Sequence, residues 1–196
     1  MLHWQLKRVK VIFNMSFSTP KLLLHCCCAP CAVSVVEQLS VDYEITLFFY
    51  NPNIDSLEEY NKRADEMGKI SSGKIIIHEY NSDDFNRIAE MYPDEPEGGV
   101  RCIECFKLRL SKTADMAESN GYDFFTTTLS VSPHKDAELI NDIGCELTED
   151  NNKSAFLCAD FKKQDGFKRS VKLSKQYGLY RQNYCGCRFS RYNKGG

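Results

Sequence analysis

The chain has 196 residues, of which 42% are hydrophobic and 27% charged, with a formal net charge of −2. That length suits one domain able to build its own core, and the balance is that of a globular protein. The longest apolar runs, four or five residues, are far short of a membrane span, and the basic N-terminus lacks the apolar stretch of a signal peptide; the expected setting is a reducing cytoplasm without membrane association.

Residues 1–19 match no element and read as an N-terminal extension; Met15 lies just upstream of the first strand, so the first fourteen residues read as a ragged extension or an overcalled start. Lys21–His25 is a short apolar strand that ends in a run of cysteines. Cys31–Leu39 carries an apolar face at helical spacing, with Pro30 in the first turn. The pattern repeats with a strand at Glu44–Tyr50, the turn Asn51-Pro-Asn53 and a polar helix over Leu57–Met67. A third strand is expected at Lys74–His78, then a helix at Asp83–Met91 with Ser82 as its cap, and a loop at 93–99. A long helix over Cys102–Ser119 stops at Asn120-Gly121. Phe124–Leu129 reads as a strand, Lys135–Ile143 as a helix and Ala155–Cys158 as a short strand. Strands and helices that alternate through short connections imply an α/β fold, a parallel sheet covered by helices on both faces.

Ten cysteines fall mostly into three groups: Cys26-Cys27-Cys28-x-x-Cys31, Cys102-x-x-Cys105 and Cys185-Gly-Cys187. Ligands of an open parallel sheet bind beyond the carboxyl ends of its strands, where the first group lies, at a helix N-terminus that favours thiolates. Four thiolates from two such segments suit an iron–sulfur cluster or zinc, and buried unligated thiols are the bland alternative. Cys185 and Cys187 read as a strained, redox-active disulfide, as two further ligands, or as a reduced pair. Cys145 and Cys158 read as core residues.

Residues 161–196 hold ten Lys/Arg against one acid, while the other 160 residues hold fifteen bases and twenty-six acids. Phe161, Phe167, Tyr177, Tyr180, Tyr184, Phe189 and Tyr192 interleave with Lys162, Lys163, Lys168, Arg169, Arg181 and Arg188. Cations on phosphates with aromatics on unpaired bases would hold single-stranded RNA; a solvated helix face with its rings in the core accounts for the same pattern. His25 reads as a packed strand-end residue or a partner near the cysteines, and His134 as a loop residue. Asn51, Asn53 and Thr126–Thr128 share the thiols' edge of the sheet. Asp160 reads as a proton donor, a metal ligand or a helix cap.

Leu22–Cys31, Tyr50–Ile54, Arg101–Arg109, Phe125–Leu129 with Ser132-Pro133, Asp160–Lys163 and Leu179–Cys187, in that order, resemble the QueH family of epoxyqueuosine reductases. Residues 55–56 are Asp-Ser where that family often has His-Pro. The resemblance implies a Rossmann-like, HUP-type fold with a basic C-terminal extension, residues 20–196 forming one catalytic domain with the basic Cys-Gly-Cys tail at about 161–196. It implies reduction of epoxyqueuosine at the tRNA wobble position to queuosine, a [4Fe–4S] cluster on Cys27, Cys28, Cys102 and Cys105, a second, mononuclear iron on Cys31, and a redox pair at Cys185 and Cys187. Its partners would be the anticodon loop and an electron donor of unknown identity, with Lys162, Lys163, Lys168, Arg169, Arg181 and Arg188 on the RNA and Asp160 as a candidate proton donor. The competing readings are a zinc-stabilised RNA-binding module without catalysis and an iron–sulfur tRNA sulfurtransferase. The latter would need a glycine- and serine-rich loop where the cysteines stand.

Overall fold

The computed structural model describes residues 18–71, 73–148 and 153–192. Apart from its last two residues, the extension expected over 1–19 lies outside them. Five strands, β1 (Lys21–His25), β2 (Glu44–Phe49), β3 (Ile75–Ile77), β4 (Phe124–Thr127) and β5 (Ala155–Phe156), form one sheet in the order β3-β2-β1-β4-β5, with every pairing parallel. From β1 the chain winds outward to β3 and then crosses back to lay β4 against the other side of β1. The switch point between the two halves therefore falls between the carboxyl ends of β1 and β4, where His25 is in register with Thr127.

The helices are α1 (Ala29–Leu39), α2 (Leu57–Gly68), α3 (Asp83–Met91), α4 (Val100–Ser119), α5 (Ala137–Glu146), α6 (Gly166–Gln176) and α7 (Arg188–Tyr192), with a 3-10 turn at Thr128–Val131. Side chains alternate across β1. Leu22 and Leu24 pack with α1, α2 and Leu173 of α6 on one face, and Leu23 packs with α4 and α5 on the other. Each fully buried leucine contributes roughly 1.5–3 kcal/mol. The expected elements all form, with ends displaced by a few residues. The fourth strand closes early because Thr127 Oγ1 accepts the Leu129 N–H and turns the chain into the 3-10 segment. The helix after it starts at Ala137, because Asp136 accepts the N–H groups of Glu138 and Leu139. Ser56 caps α2 by accepting the Glu59 N–H. Ser82 stands at the N-cap of α3 without a backbone capping bond; its hydroxyl accepts from Asn86 instead.

The C-terminal segment is not an extension. Helix α6 lies along α1, and Phe161, Leu173, Leu179 and Cys187 are buried. Of the seven tail aromatics, Phe161 joins the core, and Arg63, Arg101, Arg181 and Lys62 lie over the rings of Tyr184, Phe189, Phe167 and Tyr180. Tyr177 is exposed.

Candidate active site

The alternation that sorts the β1 leucines also sorts the first cysteines. Cys26 follows Leu22 and Leu24 into the face packed by α1, where its thiol points at the Leu24 carbonyl (3.2 Å) and burial pushes its pKa up. Cys27 turns to the other face, at the switch point. Its N–H donates to Thr128 Oγ1 (3.1 Å), and that hydroxyl reaches back to the Cys27 sulfur at 3.4 Å. Cys28 is the N-cap of α1 and Cys31 lies one turn on, so the sulfurs of Cys27, Cys28 and Cys31 fall within 4.8 Å of one another. Two thiolates on one metal ion, each at about 2.3 Å, are separated by no more than about 4.6 Å, so at most a small side-chain rotation lets these three converge on a single ion. Cys31 thus joins Cys27 and Cys28 in one group, and Cys26 stays outside it. The Cys28 and Cys31 thiols donate to Cys27 and hold its pKa well below the usual thiol range.

Cys102 and Cys105 lie in the first two turns of α4, across a cavity of about 160 Å³ that also meets Asn53, Lys135, Cys185 and Cys187. Cys102 is partly exposed and takes the Gly98 N–H at 3.3 Å. Cys105 is buried, and that burial pushes its pKa up to about 12 against the opposing charge of Arg109. Cys185 and Cys187 are both free thiols, as are the other eight cysteines. A hydrogen bond from Cys187 and the charges of Lys135 and Arg109 hold Cys185 well below the usual thiol range.

The segment carrying Cys185 is held by α2 and the turn before it. Arg63, buried and paired with Glu59 at 2.7 Å, donates to the Cys185 carbonyl at 3.0 Å. The Asp55 N–H donates to the Gly186 carbonyl at 3.0 Å. Gly186 has φ +122°, and a Cβ there would press on Ile54, Arg63 and Asn53 at 3.0–3.3 Å, so glycine is required on both counts.

Two cations face these sulfurs. Arg109 is buried; its Nη2 donates to Asn51 Oδ1 at 2.6 Å, while Nε and Nη1 lack a hydrogen-bond partner. Asn51 in turn donates to the Cys26 carbonyl at 2.9 Å, tying α4 to the cysteine turn. Lys135 is partly exposed, lines the cavity and makes no ion pair among the described residues. Burial works to lower its pKa, and the nearby Cys185, Cys27 and Cys31 sulfurs more than offset that and raise it. Soft sulfurs with the charges of Arg109 and Lys135 beside them fit an anionic, thiolate-held metal centre.

His25 lies beneath the turn, fully buried. Its Nε2 donates to the Tyr50 carbonyl (3.1 Å), so its Nδ1 accepts the Thr127 hydroxyl (2.7 Å). Burial, with the Arg109 charge, lowers its pKa to about 3. It is a packed strand-end residue. Asp160 accepts the Lys162 N–H and lies 3.8 Å from the Lys163 ammonium; it holds the turn into α6 and is not among the residues that line the cavity.

The basic residues part company. Lys162 donates to the Lys135 carbonyl (2.8 Å) near the cavity, and Arg188 lines an adjoining hollow of about 320 Å³ with Asn53, Phe85 and Asn86. Lys168 pairs with Asp165, and Arg169 forks onto Glu37 near the far end of α1. Lys163 and Arg181 are exposed. Cys145 and Cys158, expected in the core, are partly exposed and exposed, with sulfurs 2.8 Å apart. Sequence reasoning overlooked Arg63 and Lys135, because a base in a polar helix or loop reads as solvated.

The chain matches the family model described as epoxyqueuosine reductase QueH over residues 22–193. It is similar to the epoxyqueuosine reductase QueH of Staphylococcus epidermidis, 38% identical over 187 residues that cover 90% of this chain and 78% of the relative. That of Streptococcus pyogenes is 38% identical over 86% of this chain and 69% of its own length. That of Thermotoga maritima is 36% identical over 86% of this chain and 89% of its own. With a thiol-lined switch point beneath it and a match of this extent, the chain belongs to the QueH family of epoxyqueuosine reductases.

Proposed function

We propose that this chain reduces epoxyqueuosine in tRNA to queuosine. The reaction takes up two electrons and two protons, turns an epoxide into an alkene and releases one water. The observation that carries this reading is the Cys27, Cys28 and Cys31 group at the switch point beside a cavity lined by Cys102, Cys105, Cys185 and Cys187, with Lys135 of the cavity wall close enough to feel the charges of Cys27, Cys31 and Cys185, in a chain of this family. Cys27, Cys28, Cys102 and Cys105 would hold a [4Fe–4S] cluster, and Cys31 is the candidate ligand of a second iron. Such a centre supplies single electrons and a Lewis acid for the epoxide oxygen when bound.

The protein's own groups do the rest. Arg109 and Lys135 place two positive charges beside the sulfurs and favour their ionised forms. Lys135 Nζ holds a proton at the cavity wall, a better-placed source than Asp160. Cys185 and Cys187, free and facing the cavity, are positioned to pass two electrons inward by closing to a disulfide and returning two protons to solvent. The donor that reopens that disulfide would be a dithiol or a reduced electron carrier. Lys162 and Arg188, beside the cavity and its adjoining hollow, would take phosphates of the anticodon loop while the modified base enters. Residues 20–196 act together as one catalytic unit, since the C-terminal segment closes the site.

Among the described residues no helix is long and apolar enough to cross a membrane. Anaerobically purified protein is expected to contain iron and acid-labile sulfide and to convert epoxyqueuosine-tRNA to queuosine-tRNA when supplied with a low-potential reductant. Zinc without sulfide, and no turnover, would replace this reading with a zinc-held RNA-binding module.

A further inference from the structure

We propose that Cys145 and Cys158 form a second dithiol, separate from the active-site sulfurs, that exchanges with low-molecular-weight disulfides at the protein surface. The two residues come from different elements. Cys145 is the penultimate residue of α5 and Cys158 lies two residues beyond β5, yet their sulfurs are 2.8 Å apart. Neither residue lines the cavity or the hollow beside it. Cys158 is exposed and Cys145 partly so, which leaves the pair open to a small molecule.

The backbone holds this meeting in place. A Cβ at Gly144 would collide with the Phe156 ring, so glycine lets the end of α5 lie flat against β5 and brings Cys145 over Cys158. Beyond the pair, the Ala159 N–H donates to Asn141 Oδ1 (3.1 Å) in the middle of α5. Before it, the Leu157 N–H donates to the Phe125 carbonyl (2.8 Å) and continues the sheet. The segment carrying Cys158 is therefore fixed on both sides of its thiol. A disulfide needs a sulfur separation of about 2.05 Å, so less than about 1 Å remains to be closed.

The exchange balances in two steps. One thiolate of the pair attacks a sulfur of a disulfide RSSR, giving a mixed disulfide and one RS⁻, which takes up a proton. The second thiol then attacks the protein sulfur of that mixed disulfide, loses its proton and expels the second RS⁻. Two protein thiols are oxidised, one small disulfide is reduced to two RSH, and no other oxidant is needed. Partial desolvation of its sulfur, with Cys145 and Asp142 alongside, pushes the Cys158 pKa up to about 12. This keeps the resting Cys158 thiol protonated and suits a slow protective couple rather than a catalytic one.

The test is a peptide map. Cleavage after Lys135, Lys153 and Lys162 gives peptides 136–153 and 154–162, which carry Cys145 and Cys158 respectively and no other cysteine. Metal-loaded protein is incubated anaerobically with oxidised glutathione, alkylated and digested without reductant. The expected product is one linked species, about 2 Da lighter than the sum of the two peptides, that dithiothreitol separates and that Cys145→Ala abolishes, leaving glutathione on Cys158. A second readout is melting: the oxidised wild type should melt several degrees above oxidised Cys158→Ser, because the closed loop restricts the unfolded chain. Both peptides alkylated singly, separate glutathione adducts in the wild type, or Cys158 linked to an active-site cysteine would each overturn the proposal.

Discussion

Arg109 shows how one side chain sets the chemistry of a site it does not ligate. It is buried, its hydrogen bond to Asn51 fixes the guanidinium, and its charge acts on Cys27, Cys105 and Cys185. Outer partners of metal ligands typically carry about 10- to 100-fold in metal affinity. Arg109→Met should therefore lower iron retention by about that factor against a chelator, with Arg109→Lys in between, read as iron per chain after dialysis. His25 makes the complementary point about stability. Its folded pKa is about 3 against an ordinary 6.5, so the unfolded chain binds a proton that the native chain refuses throughout that window. Stability should fall as pH drops from 6.5 toward 3, by on the order of a few kcal/mol from this group alone. His25→Gln should flatten the wild-type urea-midpoint profile over that range, and parallel profiles would refute the assignment. The split between Cys26 and Cys27 was legible in the sequence, since a period of two continued from Leu22 assigns them to opposite faces. The roles of Arg63 and Lys135 were not, because the groups that engage them lie far off in the chain: the Cys185 carbonyl for Arg63, and the Cys185 and Cys27 charges for Lys135.

At the scale of elements, the sequence was readable wherever a pattern was local and opaque where a segment borrowed its structure from elsewhere. Strand β1, α1 and the end of α4 announce themselves through a short apolar run, Pro30 and Asn120-Gly121, the glycine of which takes φ +66°. Residues 179–190 carry no period, and read from composition they are a basic tail. Their path is set by α2 instead: the Tyr180 N–H donates to Glu66 (2.9 Å), Lys62 lies over the Tyr180 ring (3.6 Å), and Arg63 takes the Cys185 carbonyl. Gly186 is the point at which this docking is most sensitive. Gly186→Ala combines a positive φ with contacts at 3.0–3.3 Å to Ile54, Arg63 and Asn53. The local cost is about 1–3 kcal/mol, set against a docking that rests on a few hydrogen bonds. The variant should retain the wild-type far-ultraviolet dichroism while Cys185 reacts with iodoacetamide at least several-fold faster. An unchanged alkylation rate would mean that the segment tolerates the added methyl and that the turn is not tightly packed.

Over the whole molecule, the sheet order places the thiols and the basic residues by one rule. Chain reversal at β1 and β4 opens the crevice at the carboxyl edge, and what faces RNA there must lie at that edge too. Counting bases in residues 161–196 treats ten cations as equivalent, and the fold makes them unequal. Lys162 and Arg188 stand beside the cavity and its hollow. Arg169 is engaged by Glu37, nine residues along α1 from Cys28 and so about 13 Å down its axis; Lys168 is engaged by Asp165. A cation that contacts a phosphate releases a counterion, so its loss lowers the slope of log affinity against log salt by about one, whereas a cation already neutralised by a neighbouring acid contributes little. Arg188→Ala and Lys162→Ala should each weaken tRNA binding several-fold and reduce that slope by about 0.7–0.9 between about 50 and 200 mM salt. Lys168→Ala and Arg169→Ala should leave both within error, as read by fluorescence anisotropy of a labelled anticodon stem-loop. The reverse ranking would move the RNA from the crevice to the α6 surface, and with it the claim that the substrate reaches the sulfurs through the carboxyl edge of the sheet.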